Sequence, residues 1–239
     1  MLCSDSASTD TREVENLFPF FFLLFALVAA GVVAYQYVAQ QKRREAFAAF
    51  AARNGFAYHR QDPFGLLDEP FRLFSKGDGR GIENVLDGRW QDVPVRAFDY
   101  WYYEESSTSK GGRTKSYHRF DCVIAPIDAA CSPLTIERES LFTRLADHLA
   151  LDDIQFELEE FNRAFNVKGA DRAFATAFCD QKMMRWLLTN AGDCGFEIMG
   201  DRLLTFCRKV DVEALPVLFA TMCGLRDHVP PVVYSLYPR

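Results

Sequence analysis

Val93 to Glu105 reads VPVRAFDYWYYEE. In an extended chain successive side chains point to opposite faces, so Phe98, Tyr100 and Tyr102 share one face, while Val95, Ala97, Trp101 and Tyr103 share the other. Large apolar groups on both faces predict a central strand. Pro94 must then sit at its start, where a missing N–H is tolerated. A polar, glycine-containing run, SSTSKGGRTKS from Ser106 to Ser116, leads into YHRFDCVIA from Tyr117 to Ala125. There His118, Phe120, Cys122 and Ile124 share a face, with Arg119 and Asp121 opposite. The pair predicts a long antiparallel hairpin with a solvated tip.

Working outward, Phe56–His59, Ile82–Leu86, Leu134–Glu137 and Ile154–Glu157 read as short extended segments. Asp62-Pro63-Phe64-Gly65 is turn chemistry, and SKGDGRG from Ser75 to Gly81 reads as a loop. That loop is no phosphate cradle, because a strand follows it rather than a helix opened by Lys-Ser or Lys-Thr. Helices are expected from Ser140 to Leu149, after Asp171, after Asp180 and from Val212 to Cys223, with the aspartates as N-caps. Pro216 is expected to kink the first turns of the last of these. Gly200-Asp201 between two apolar runs, Gly195–Met199 and Arg202–Cys207, predicts a two-residue hairpin turn. The tail from Val229, with three prolines, is expected to lie extended. The whole describes an α+β fold built on antiparallel strands over residues 56–239, as one domain or as two subdomains divided near residue 150.

Ahead of it, Leu17 to Gln41 carries no charge over 25 residues. A helix needs about 20 such residues to cross a bilayer core of ~30 Å, so residues 17–41 read as a transmembrane helix. Residues 1–16 are polar and acidic and read as a disordered head; being net negative, they lack the basic start of a cleavable signal peptide. Lys42, Arg43 and Arg44 follow the span directly. The positive-inside rule then puts the N-terminus outside and the C-terminal domain in the cytoplasm. The same three residues, with Lys110, Arg113 and Lys115 on the hairpin tip, are the candidates for contact with anionic lipid headgroups. Residues 42–55 are rich in helix formers, and the span is expected to continue through them as one helix ending at Gly55, with Phe47, Phe50 and Ala51 as its apolar stripe.

Twenty-two phenylalanines among 239 residues argue for a folded core. Net charge is −6, of which the first 41 residues hold −3, leaving −3 for the rest. A mildly acidic domain is a poor ligand for a nucleic-acid backbone. Seven cysteines with no C-x-x-C pair suggest buried free thiols and a reducing compartment, not a disulfide framework.

From Phe156 to Leu187 the chain resembles an uncharacterised family of bacterial membrane-anchored proteins, known only as a domain of unknown function. The residues that carry it are Glu160-Phe161, Phe165-Asn166-Val167, Asp171, and the paired Met183 and Met184 with Leu187, followed by the hairpin at 195–207. The family's helix usually opens with Pro, where this chain has Asp180-Gln181. The resemblance implies an N-terminal anchor and a mixed α and β domain in the cytoplasm, and it implies no activity.

Catalytic chemistry is hard to find in these residues. His148 beside Asp152 and Asp153 reads as a helix C-terminal cation. His118, Cys122 and Cys131 lack the paired spacing of zinc ligands, and Cys131-Ser132-Pro133 has no base near it in sequence. No catalytic residue, metal ligand or cofactor is assigned. The run Tyr100–Tyr103 has the look of a stacking platform for single-stranded nucleic acid, but its neighbours Asp99, Glu104 and Glu105 favour core or interface packing. The reading that follows is a single-pass membrane protein whose domain binds something at the bilayer: a protein partner or a second copy, with no nucleic acid. Its rivals are a hydrolase or transferase with an unrecognised site and an anionic-lipid binder.

Overall fold

The computed structural model describes residues 9–107, 111–138 and 152–239, with side chains from residue 21 on except that of Asp152. The expected helix at 140–149, His148 and Lys110 lie outside the described residues.

A single helix, α1 (Thr9–Asn54), carries the apolar run. It begins within the acidic head rather than after it, since extending an existing helix is cheaper than nucleating one. Side chains from Phe21 to Val38 are exposed all round. Among the described residues this is the one helix long and apolar enough to cross a membrane. Gly55, at φ 74, ends it by taking the left-handed conformation, and Phe56 N–H reaches back to the Ala51 carbonyl at 3.0 Å. The chain forms two compact units, Met1–Ala46 and Phe47–Arg239. The second unit takes in the end of α1, whose Phe47, Phe50 and Ala51 are buried, as the stripe requires.

The second unit is organised by strands β1 (Ala57–Gln61), β2 (Gly79–Trp90), β3 (Val93–Ser107) and β4 (Arg113–Arg138), antiparallel neighbours in that order. The expected hairpin is the β3–β4 pair, in unbroken register from Arg96 opposite Ile124 to Ser107 opposite Arg113. Two short strands extend the far side of β4: β6 (Phe165–Gly169) pairs with it and β5 (Asp152–Asp153) pairs with β6. Between them lies α2 (Glu159–Ala164), which sequence reasoning left unassigned. What reads as an isolated strand at 134–137 is the far end of β4.

The last strand, β7 (Cys194–Arg208), also pairs with β4. Cys194 and Cys207 stand 13 residues apart, which would separate them by about 40 Å in a straight strand, yet their Cα atoms lie 4.3 Å apart. β7 therefore doubles back, at Gly200 (φ 56) and Asp201, as the turn residues predict. One arm pairs with Phe120–Pro126 and the other with Leu134–Ile136, so β4 bends around the hairpin, with register shifts on either side of Cys131. A disulfide joins Cys194 to Cys207, which corrects the expectation of free thiols at those two positions; Cys122, Cys131, Cys179 and Cys223 are free and buried.

Helices complete the second half. α3 (Arg172–Phe178) is capped by Asp171, which accepts from the N–H groups of Ala173 and Phe174, and α4 (Gln181–Asn190) by Asp180, which accepts from Met183. α5 (Leu215–Asp227) keeps Pro216 in its first turn, where it costs no hydrogen bond and needs no kink. The tail is not extended: α6 (Pro231–Leu236) starts on a proline, a residue favoured at a first helical position for the same reason.

Two layers flank the sheet. On one face Phe98, Tyr100, Tyr102, Phe120, Leu204 and Phe206 pack with Leu66, Phe71, Leu73 and Phe74 from the segment between β1 and β2, which carries two 3-10 helices, Leu66–Asp68 and Arg72–Ser75. The second of these is held by Glu197, whose carboxyl group accepts from the N–H groups of Arg72 at 2.6 Å and Leu73 at 2.9 Å. On the other face α5 and the end of α1 meet, Phe219 stacking on Phe50, Phe56 and Trp90.

Burial, with a smaller contribution from Glu137, pushes the Glu197 carboxyl up to about 7 against the two N–H groups that favour its charge. The folded chain keeps this proton up to about pH 7, while the unfolded chain sheds it near its ordinary 4.5. The native state thus binds more protons in that window, and its stability falls as pH rises through it, by roughly 3 kcal/mol in total. Urea unfolding at pH 4 to 8 is expected to show this decline, and Glu197→Gln is expected to flatten it.

Candidate functional site

The alternation of β3 sends Asp99, Trp101, Tyr103 and Glu105 to the face that α5 shares. α5 covers that face only in part. Ala97, Val123 and Ala125 are fully buried, and Thr205 on the neighbouring β7 arm reaches Met222 of α5. Farther along β3, Trp101 and Tyr103 are half-buried, and Tyr117, which faces Tyr103 across the β3–β4 ladder, is 54% exposed.

Two glycines make this surface flat. Gly79 pairs with Tyr103 and Gly81 with Trp101, beyond the end of β1, where β2 has no further strand beside it among the described residues. A Cβ on Gly79 would stand 2.4 Å from the Tyr103 ring, and one on Gly81 would stand 2.7 Å from the Trp101 indole. Both rings therefore lie across β2 in the space that side chains would otherwise fill. Their planes differ by 13° with centroids 6.4 Å apart, a side-by-side arrangement rather than a face-to-face stack. Tyr117 leans at about 50° to both, 6.2 Å from Trp101 and 5.5 Å from Tyr103.

A polar junction closes the inner end. Asn84 sits in a β-bulge at φ 55, so that Glu83 and Leu86 keep to one face. Its amide donates to Asp99 at 2.8 Å and its carbonyl oxygen accepts from the Tyr58 hydroxyl at 2.8 Å. Asp99 and Asp121 are buried directly opposite each other, a like-charge pairing that needs compensation. Lys209 supplies it at 3.9 Å from Asp99, and the Val210 N–H donates to Asp121 at 2.7 Å.

At the outer end, Glu105 takes Lys115 at 3.3 Å and Arg113 at 3.7 Å. Lys115 also lies 4.0 Å over the Tyr103 ring. These two tip cations are thus engaged with their own sheet. Lys42 is exposed on α1, where Arg43 and Arg44 are half-buried, in the first unit of the chain.

Among the described residues, which do not include His148, the other sequence candidates are not grouped into a reactive centre. His118 stacks on Tyr102 at 4.7 Å, and burial pushes the Cys131 thiol up to about 12, which keeps it protonated at neutral pH. Among the described residues no three His, Cys, Asp or Glu side chains are grouped to hold a metal ion. The site that does stand out, the Trp101–Tyr103–Tyr117 surface, is one that sequence reasoning split correctly between faces but left as packing. Its missing signal was the pair of glycines in SKGDGRG.

What the fold defines is a mostly antiparallel α+β module behind an N-terminal apolar helix. In three dimensions it matches the crystal structure of the mycobacterial trehalose monomycolate transport factor A, TtfA, with a TM-score of 0.56 over 80% of this chain and 95% of that one. Identity is 16%, so the likeness is one of fold. No protein-family model matches the sequence, and no curated protein does.

Because the Trp101 indole rests where a Cβ would project, Gly81→Ala is expected to lift the ring off β2. Overpacking of this kind costs about 1–3 kcal/mol. The loss should appear in thermal unfolding, with an altered near-UV circular dichroism band as the sign that Trp101 has moved; unchanged spectra would mean that the ring does not rest there.

Proposed function

We propose that this chain is a single-pass membrane protein whose α+β domain is a non-enzymatic binding module, serving the handling of an envelope lipid at the cytoplasmic face. The observation that carries the reading is α1, whose exposed apolar length and buried final turns belong to one uninterrupted helix. A fold shared with a factor for transport of a mycolate ester of trehalose supports a lipid-handling role over an enzymatic one. The resemblance to uncharacterised membrane-anchored bacterial proteins points the same way. Binding of anionic lipid through the hairpin tip is the weaker alternative, because Arg113 and Lys115 already share Glu105.

Affinity purification of the full chain in detergent is expected to recover a lipid or protein partner, and deletion of residues 56–239 is expected to lose it. A chain that comes through purification alone and turns over a substrate would replace this reading with the enzymatic one.

Orientation rests on Lys42, Arg43 and Arg44. The Cys194–Cys207 bond weighs the other way, since disulfides persist in oxidising compartments. The basic flank is the stronger argument, because facing positions of one hairpin bring two cysteines together in either compartment. Protease added to intact spheroplasts is expected to spare a C-terminal tag, and rapid acid quenching followed by alkylation is expected to find both thiols reduced. A shaved domain with the bond intact would reverse the topology.

A further inference from the structure

We propose that the rings of Trp101 and Tyr103, with Tyr117 as a side wall, are a stacking platform for the sugar headgroup of a glycolipid. The proposal names the ligand class for the binding module argued above and rests on that reading for its lipid half; its sugar half rests on this surface alone.

The ligand has to match a flat, half-exposed π surface. Two rings with nearly parallel planes, 13° apart in tilt and 6.4 Å apart in centre, present about the length of a disaccharide face, each lying over a glycine that admits no side chain beneath it. An aromatic face is the negative end of a ring quadrupole, and the face of a pyranose is a row of weakly positive C–H groups, so the two stack. Pyranose hydroxyls point outward from the ring edge and need donors and acceptors around the platform. Glu105, Lys115 and Arg119 stand there, the last opposite Trp101 across the ladder and 5.8 Å over the Tyr117 ring. Lys115 is exposed, so an incoming ring can displace it from Tyr103 while its ammonium turns to a hydroxyl.

Charge argues against the other π ligands. Four carboxylates on this face, Glu83, Asp99, Glu105 and Asp121, offset four cations, Arg113, Lys115, Arg119 and Lys209, which leaves no net positive field for a nucleic-acid strand or an anionic headgroup. A neutral, hydroxyl-rich ring loses nothing to that balance.

The test uses the full chain in polyoxyethylene-ether micelles, which contain no sugar, with dodecyl maltoside as probe and dodecylphosphocholine as a control of the same chain length. Saturation-transfer NMR is expected to light up the pyranose C–H protons of the maltoside more than its alkyl protons. Trp101→Leu keeps an apolar cover over Gly81 but removes the π face, and Tyr103→Leu does the same over Gly79; each is expected to weaken binding about tenfold at unchanged melting temperature. Transfer confined to the alkyl protons, or equal affinity in both leucine variants and the parent, would overturn the platform. Free maltose binding as tightly as the maltoside would overturn the glycolipid in favour of a soluble sugar. Carbonate extraction of the same variants separates the two claims: a chain that stays in the membrane yet binds no sugar refutes the platform alone, and one that binds sugar but leaves the membrane refutes the anchor alone.

Discussion

β4 hydrogen-bonds to three strands, and every other part of the domain is placed by that sharing. Its first half carries β3 on one side and an arm of the β7 hairpin on the other; its second half carries β6 and the other arm of β7. A strand 26 residues long can serve so many partners only if it bends, and it does so between Pro126 and Cys131, where proline withholds an N–H from the ladder. The bend lets one strand clasp both sides of a hairpin. It also ties the first half of the chain to the second within the compact unit Phe47–Arg239.

Register along β4 then decides what each face of the sheet can be. Phe98, Tyr100 and Tyr102 meet Phe120 and Cys122 under the 3-10 helix pinned by Glu197, and the Tyr100 hydroxyl donates to the Leu73 carbonyl at 2.8 Å. Burial raises both the Tyr100 phenol and the Glu197 carboxyl, so this layer is neutral at mildly acidic pH and most stable there. The opposite face is divided by the Asn84–Asp99–Asp121–Lys209 junction. On one side of it α5 and the end of α1 complete a dry core; on the other the same strands carry rings that no helix covers among the described residues.

Much of this was legible in the sequence because it depends on short-range periodicity. The alternation in VPVRAFDYWYYEE assigns each aromatic to its face, the Asp171 and Asp180 caps mark their helices, and Gly200-Asp201 marks the turn. What escaped was set by contacts distant in sequence. SKGDGRG reads as a loop because glycine weakens a strand, yet Gly79 and Gly81 are strand residues whose missing side chains make room for rings 20 or more positions away. The tail reads as extended from its prolines, although a proline is at home in the first turn of a helix. The disulfide left a faint signal: Cys194 lies six residues before Gly200 and Cys207 six after Asp201, so a hairpin at that turn must bring them face to face.

That same reasoning bears on why the aromatic surface is unlike ordinary packing left over at a sheet edge. An edge stretch with exposed apolar rings invites pairing with another chain, and proteins blunt such edges with charge. On this face Lys115 is spent on Glu105 at 3.3 Å rather than standing on β2 as a deterrent. Backbone glycines in the exposed edge weaken the strand without protecting it, a cost that core packing would not require. Covering that edge with two nearly parallel rings restores the lost contact over the glycines, and the polar group that lies over Tyr103 is the Lys115 ammonium. Stability alone would be better served by a β-branched residue at Gly81 and a small one at Trp101, so the arrangement is best explained by what the open faces of the rings can hold.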